Sequence, residues 1–308
     1  MDQPRLIVAV CSNRLPDQIA PTLEEVATQI REAPGTVGAL VASGVDDERE
    51  AALASLATRF GIRFHRAGAG LSVARNAALA FAGDADVIAY LDDDAIPAAG
   101  WLEHLAAHWA AAPDELACVG GAIDPLWVDP PPPWMSERVH IVFSLLDRGE
   151  GVVPLRPGIE DAWGANVSFR VDALRSVGGF DQALGTVGGI PFFGEETEVQ
   201  LRLARAGHRG IYVGDVRVKH AVTAERMRLR EVARRRFYAG AGMRAAGQWS
   251  VGAGLARLGA GLAELPISAM RRRPRDVAAA IARAAAGAGV LAEPLVRRSL
   301  MRHRREAR

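Results

Sequence analysis

The sequence predicts an α/β protein: a mostly parallel central sheet flanked by helices, followed by a helical C-terminal extension. Three observations carry that prediction. Val87-Ile88-Ala89-Tyr90-Leu91 is an unbroken apolar run of strand formers, the pattern of a strand buried on both faces. Upstream of it, strand-like and helix-like stretches alternate as β-α-β-α-β, which argues for parallel strands with covered faces. The run then ends abruptly in Asp92-Asp93-Asp94, at the end of the strand where open α/β sheets place their ligands.

Taken in order, Leu6-Ile7-Val8-Ala9-Val10 is the first strand and ends in the polar turn Cys11-Ser12-Asn13-Arg14. Leu23, Val26, Ala27 and Ile30 recur at helical spacing and predict a helix over residues 20–32. Residues 37–42 read as a strand leading to Ser43-Gly44-Val45-Asp46-Asp47, residues 48–60 as a helix and 62–65 as a short strand. Gly68-Ala69-Gly70-Leu71-Ser72 opens a helix over 73–82, with Arg75 and Asn76 in its first turn. Such a turn can receive an anion; alternatively the glycines only make the turn and Arg75 is solvated. A helix is expected over 102–111 and a strand over 118–123. Pro130-Pro131-Pro132-Pro133 is a stiff surface segment, and residues 134–156 read as a mixed loop-helix region. Residues 163–170 return to a strand with Val167 and Phe169 on one face, and 171–177 form a short helix stopped by Gly178-Gly179-Phe180-Asp181. Glu195-Glu196 opens a helix over 197–206, closed by Gly207. The last strand covers 211–218, with Val216, Val218 and His220 on one face.

With 308 residues the chain can hold one large domain, or one domain and an appendage. Only Cys11 and Cys118 are present, without metal or redox spacing, so a disulfide scaffold is not expected and a reducing cytosol is the default. No basic region precedes an apolar core at the N-terminus, so no signal peptide is expected, and no uninterrupted apolar run approaches the length of a spanning helix. The net charge of +1 hides an asymmetry: residues 1–216 hold 16 Arg against 30 acids, and residues 217–308 hold 20 Arg and Lys219 against 6 acids. An acidic body with a basic tail implies that the tail meets something negative: a membrane surface, an anionic acceptor or the body itself.

Three adjacent carboxylates repel one another unless a cation or donors share the site. Hard oxygen ligands favour Mg²⁺ or Mn²⁺, which commonly bridge to phosphates. The alternatives are a solvated acidic loop tip, or an N-cap for the helix beginning near Trp101. Glu195 and Glu196 suit a helix N-terminus on dipole grounds alone. His220 is either a metal ligand or a strand-end surface residue.

In combination, Val8-Ala9-Val10-Cys11-Ser12-Asn13-Arg14, Leu71-Ser72-Val73-Ala74-Arg75-Asn76, Tyr90-Leu91-Asp92-Asp93-Asp94, Gly164-Ala165-Asn166-Val167-Ser168-Phe169-Arg170 with Gly178-Gly179-Phe180-Asp181, and Gly194-Glu195-Glu196 with Leu201-Arg202 stand in a telling order. Over residues 5–240 the chain resembles a family 2 glycosyltransferase, a nucleotide-sugar-dependent enzyme of the GT-A fold. The resemblance implies an inverting transfer to a hydroxyl acceptor, a glycan, lipid-linked or small molecule. It implies that Cys11, Asn13, Arg14, Ser43 and Leu71 lie along the nucleotide, that Arg75 reaches the nucleotide or its diphosphate, and that Asp92 and Asp93 hold ribose and sugar. Asp94 would bind Mg²⁺ or Mn²⁺ with His220. Glu196 would be the catalytic base, Glu195 would bind or orient the acceptor, and Trp163, Gly164, Ala165 and Asn166 would line the acceptor side. Two departures stand out. Ser43 occupies the place where the second strand often ends in a base-reading acid, so Asp46 or Asp47 would substitute. The acidic pair is Glu-Glu rather than Glu-Asp.

These readings divide the chain into a GT-A domain, 1–223, and a basic Ala/Arg-rich helical extension, 224–308. Residues 224–248 read as a basic amphipathic helix packing back on the body, and Arg271-Arg272-Arg273 and the cluster at 302–308 could bind anionic lipid peripherally. The location expected is cytoplasmic, at the inner face of the membrane if the tail engages lipid. Nucleic acid is not expected, because no aromatic platform interleaves the arginines. The competing functions are another GT-A-like nucleotide-sugar enzyme, such as a nucleotidyltransferase, and a catalytically silent sugar-nucleotide- or lipid-binding protein. The first lacks a visible triphosphate loop; intact carboxylates at Asp94 and Glu196 argue against the second.

Overall fold

The computed structural model of the protein describes residues 4–306. β1 (Leu6–Ser12), β2 (Val37–Ser43), β3 (Arg63–Ala67) and β4 (Val87–Asp92) form the parallel half of a nine-stranded sheet. β8 (Asn166–Arg170) joins antiparallel to β4 and to β6 (Leu116–Trp127), and β6 pairs parallel with β9 (Arg209–Val222). β5 (Ala95–Pro97) and β7 (Val152–Pro154) pair with β9; periodicity does not reveal them, because three residues are too few to display an alternation.

Successive strand residues point to opposite faces, and both faces are covered. Leu6, Val8, Val10, Ala89 and Leu91 pack with Ile19 and Leu23 of α1 (Pro16–Glu32), Leu53 of α2 (Asp47–Phe60) and Trp101 of α4 (Trp101–Ala110). Ile7, Ala9, Ile88 and Tyr90 pack with Ala74 and Ala78 of α3 (Leu71–Phe81), Leu174 of α6 (Val171–Ser176) and Leu203 of α7 (Glu195–Arg205). α1 begins at Pro16 rather than residue 20, since a proline is pre-set for the first helical position. Gly100, not the acidic triad, is the N-cap of α4. The 134–156 stretch holds a one-turn helix, α5 (Glu137–His140), a 3-10 turn (Ile141–Phe143) and β7.

A bulge in β9 positions much of the rest. Between Gly121 and Ala122 of β6 the partner shifts from Val213 to Arg217, so Gly214, Asp215 and Val216 leave the ladder. A Cβ on Gly121 would stand 2.0 Å from the Val216 carbonyl oxygen, so only glycine lets the bulge close onto β6. Asn166 Nδ2 donates to Val216 O at 2.8 Å and to Ala122 O at 2.9 Å, while its Oδ1 accepts from Trp101 Nε1 at 2.9 Å. Beyond the bulge Val216, Val218 and His220 are buried on one face, and Ala95 registers against His220.

α8 (Leu229–Ala245), α9 (Val251–Met270) and α10 (Pro274–Glu306) complete the chain. They approach closely through glycines. A Cβ on Gly242 would meet Phe193 O at 1.7 Å, seating α8 against the loop before α7, and one on Gly240 would meet Ala286 O of α10 at 2.0 Å. Among the described residues, one helix segment, Pro274–His303, is long and apolar enough to cross a membrane by length and composition, with a mean hydropathy of 1.4 in its best window; 44% of that window is buried inside the protein. The search for an uninterrupted apolar run misses it because Arg283 and Glu293 break the run. Of the arginine cluster at 302–308, Arg308 and the side chains of Arg304 and Arg305 lie outside the described residues.

Asn166→Ala strands two carbonyls and an indole N–H in the core. Each buried unpaired group costs about 1–3 kcal/mol, so denaturant titration is expected to register a loss of at least about 2 kcal/mol. A change within about 0.5 kcal/mol, the range of ordinary surface substitutions, would contradict the pinning role.

Candidate active site

One cleft of about 900 Å³ is bounded by the C-terminal ends of β1, β2 and β4, by residues 158–165, by the loop leading into α7, and by α8. Asp94, His220 and Glu196 all line it, so the acids of two distant motifs share one space.

At one end, Asp92, Asp94 and His220 each present a ligand atom within 4.8 Å of the others. His220 Nε2 lies 2.9 Å from Asp94 Oδ1 and 4.0 Å from Asp92 Oδ2. Its Nδ1 is 2.8 Å from Phe143 O, a contact that requires the proton on Nδ1 and turns Nε2 toward the acids, where a bound cation would take its lone pair. Two carboxylates and an oriented imidazole converging on one point fit a divalent cation such as Mg²⁺ or Mn²⁺. Asp92, expected beside the ribose, presents a carboxylate oxygen to the same point as Asp94 and His220. Asp94 also meets Arg14 Nη2 at 2.6 Å and Arg226 Nη1 at 3.0 Å. Burial pushes its carboxyl up, but His220, Arg226 and Arg14 outweigh burial and hold it well below the usual range. Asp93 accepts from Ser12 Oγ at 2.5 Å and pairs with Arg14 Nε at 2.9 Å; burial, then Asp94, pushes it up to about 7.

Arg75 joins this end to the other. It is 2% exposed, neither solvated nor free. Its Nη2 lies 3.6 Å from Asp92 Oδ1, and its Nη1 lies 3.0 Å from Glu195 Oε1 and 3.3 Å from Glu196 Oε1. The Tyr90 and Phe180 rings flank the guanidinium at 5.9 and 5.4 Å. Arg75, expected at the nucleotide or its diphosphate, lines the cleft and faces these three carboxylates there. A Cβ on Gly164 would stand 2.1 Å from Arg75 Nη2 and 2.2 Å from Glu196 Oε1, which explains a glycine there.

The two glutamates differ. Glu195 is 1% exposed, whereas the Glu196 side chain is 18% exposed to the cleft. Burial, then the neighbouring Glu196, pushes the Glu195 carboxyl up to about 8 against the pull of Arg75. Its Oε2 is buried with no donor facing it, and Glu196 is its neighbour, so the contact between the two acids closes only with a proton on Glu195. Glu195, expected to bind or orient the acceptor, lines the cleft and holds Arg75 beside Glu196.

Cys11, Asn13, Arg14, Ser43, Leu71, Trp163, Gly164 and Ala165 line the cleft as expected from the motifs. Burial pushes the Cys11 thiol up to about 12, so it serves as an apolar wall. Ser43 Oγ donates to Gly68 O at 3.0 Å and ties β2 to the glycine loop. Three expected residues stand elsewhere. Asp46 accepts from Arg49 N at 2.8 Å as the N-cap of α2, and its partner candidate Asp47 pairs with Arg66 at 3.0 Å. Asn166, expected on the acceptor side, spends its whole amide on the β9 bulge and Trp101. The motifs miss Arg148, Arg226 and Arg235, which also line the cleft. The arginine density directly after His220 is the one sequence signal for the last two.

The Glycosyl transferase family 2 profile matches residues 6–178. A glucosyl-dolichyl phosphate glucuronosyltransferase of Haloferax volcanii is 31% identical over 159 residues, 51% of this chain and 50% of that protein. A pre-mycofactocin glycosyltransferase of Mycobacterium tuberculosis is 34% identical over 174 residues, 56% of this chain and 34% of that protein. The chain thus spans half or less of these relatives. Among solved structures, the mannosyltransferase PcManGT of Pyrobaculum calidifontis, in complex with GDP-Man and Mn²⁺, superposes with a TM-score of 0.58 at 17% identity, covering 98% of this chain and 79% of that one. GalNAc-T7 with UDP, GalNAc and Mn²⁺ gives 0.55 at 14% identity, covering 81% and 53%. By the extent of the profile match and by its GT-A fold, the chain belongs to the family 2 glycosyltransferases.

Proposed function

We propose that the protein transfers a sugar from a nucleoside diphosphate donor to an acceptor hydroxyl, with inversion at the anomeric carbon. The observation that carries this reading is the shared cleft, with Asp92, Asp94 and His220 at one end and Glu196 at the other, joined by Arg75. The complex of one structural neighbour with GDP-Man and Mn²⁺, and of the other with UDP, GalNAc and Mn²⁺, supports a donor of this class. The relatives are named for glucosyl-dolichyl phosphate and for pre-mycofactocin, so likeness alone leaves the acceptor open.

In this reading Glu196 takes the proton of the acceptor hydroxyl as its oxygen attacks the anomeric carbon, opposite the leaving diphosphate. A divalent cation held by Asp92, Asp94 and His220 would neutralise charge on that diphosphate. Arg226 and Arg235 approach from α8 and its preceding turn to take further phosphate charge. Arg75 keeps Asp92 and Glu196 in place, and a proton on Glu195 spares Glu196 a second negative neighbour. Trp163, Gly164 and Ala165 form the acceptor wall. Residues 1–223 then act as the transfer body, with 224–308 closing the cleft.

The exposed face of α9 carries Val251, Leu255, Leu262, Ile267 and Met270, and the exposed Arg271, Arg272, Arg273 and Arg275 follow at its end. That combination supports peripheral contact with an anionic bilayer.

Glu196→Gln is expected to cut turnover roughly 10²–10⁴-fold, read as release of nucleoside diphosphate and product mass, with nucleotide affinity kept; near-normal turnover removes Glu196 from the base role. Glu195→Gln should gain stability relative to the parent as pH rises from about 5 to 8, because in that window the native carboxyl holds a proton that the unfolded chain releases. A pH-independent difference would contradict the shared proton. For Asp94→Asn, calorimetry should find Mn²⁺ no longer strengthening UDP or GDP binding, and an unchanged metal effect would dismiss the proposed ligand set. Vesicles with anionic lipid should float the protein at low salt, and Leu255→Glu with Leu262→Glu should abolish flotation; equal flotation of that variant rules out the α9 face.

A further inference from the structure

The wall of the cleft opposite the acids is basic, and part of it has no counter-charge. Arg236 of α8 and Arg257 of α9 line the cleft together, and a groove of about 960 Å³ opens from the same two side chains toward Arg271 and Arg273. Both are half-buried. Among the described residues Arg236 makes no hydrogen bond and no ion pair. Arg257 donates only to Ala253 O, at 3.3 Å, and its guanidinium lies 3.9 Å from the centre of the Trp249 ring. The two acids that line this groove are committed elsewhere: Asp276 to Arg138 at 2.9 Å, and Glu264 to Arg283.

Burial, then Arg257, pushes the Arg236 guanidinium down to about 10. Two like charges taken partly out of water without a partner cost free energy in the unliganded protein. Such a cost is common where a ligand supplies the missing charge. A pair of guanidinium forks suits the oxygens of a phosphate, and the Trp249 ring holds one fork in place.

The metal end of the cleft is a different place. Arg235, one residue earlier, feels Arg226 and Asp94. Arg236 and Arg257 instead open onto the second groove, whose walls include none of Asp92, Asp94 and His220. A diphosphate at the metal ligands therefore leaves Arg236 and Arg257 unused.

We propose that Arg236 and Arg257 form a subsite for a phosphate group carried by the sugar acceptor. The acceptor class is then a phosphorylated molecule whose free hydroxyl reaches Glu196 while its phosphate rests between α8 and α9. This rests on the cleft being a transfer site, and it adds the substrate class to that reading.

The test uses the full chain with Mn²⁺ and saturating UDP or GDP, whichever it takes, titrated with inorganic phosphate and with decyl phosphate in a calorimeter. The parent should bind phosphate without displacing the nucleotide. The Arg236→Gln, Arg257→Gln double variant should bind it at least tenfold more weakly while keeping its nucleotide affinity. Decyl phosphate binding tenfold tighter than inorganic phosphate assigns the group to a lipid-linked acceptor; equal binding assigns it to a water-soluble one. Absence of phosphate binding in the parent, competition with the nucleotide, or equal binding by the double variant overturns the subsite. If the parent takes phosphate but no nucleotide, the donor reading fails and takes the acceptor assignment with it, leaving Arg236 and Arg257 as a phosphate site only. Thermal unfolding guards against misfolding: Arg236→Gln should keep or raise Tm, since it removes an unpaired charge, and a clear fall in Tm would give Arg236 a structural partner and count against the proposal.

Discussion

A buried guanidinium among three carboxylates is the constraint on which this site depends. Asp92 ends β4, Glu195 and Glu196 begin α7, and Arg75 rises from the first turn of α3 between them. Each acid alone would resist burial, and together they would repel. With Arg75 in their midst, two motifs far apart in sequence are held in one cleft. The aromatic rings of Tyr90 and Phe180 and the bare backbone of Gly164 give the guanidinium room for a single pose.

The second half of the site depends on backbone rather than charge. His220 reaches Asp94 because β9 abandons its ladder with β6 for the length of a bulge and resumes in a new register. Gly121 allows the close approach, and Asn166 satisfies the carbonyls that the bulge leaves open. An amide buried for that purpose is a positioning device, one step removed from the chemistry. The Phe143 carbonyl, in the irregular stretch after the prolines, completes the arrangement by fixing the imidazole tautomer.

Several groups in the cleft are worse off than groups in an ordinary core. Glu195 keeps an oxygen without a donor, and Arg236 keeps a guanidinium without an acid. Folded cores rarely tolerate either, whereas binding sites collect both. α8 brings the second kind of cost to the cleft, and its glycine contacts with Phe193 and α10 make it part of the cleft wall rather than a loose tail.

The sequence by itself determined the parallel half of the sheet and the identity of the acidic motifs. Apolar runs such as Val87–Leu91 bury on both faces wherever they fold, and acids at strand ends and helix starts are local signals. Its period of two also puts Val216, Val218 and His220 on one face of the last strand. Only the tertiary structure decided that Asn166 serves the core, that Asp46 caps a helix, that Arg75 faces three carboxylates, and that Arg226 and Arg235 belong to the cleft. The physical reason is common to all four. Each outcome depends on which partners lie across a long loop of chain, and a motif specifies a side chain's chemistry without specifying the neighbour that will use it.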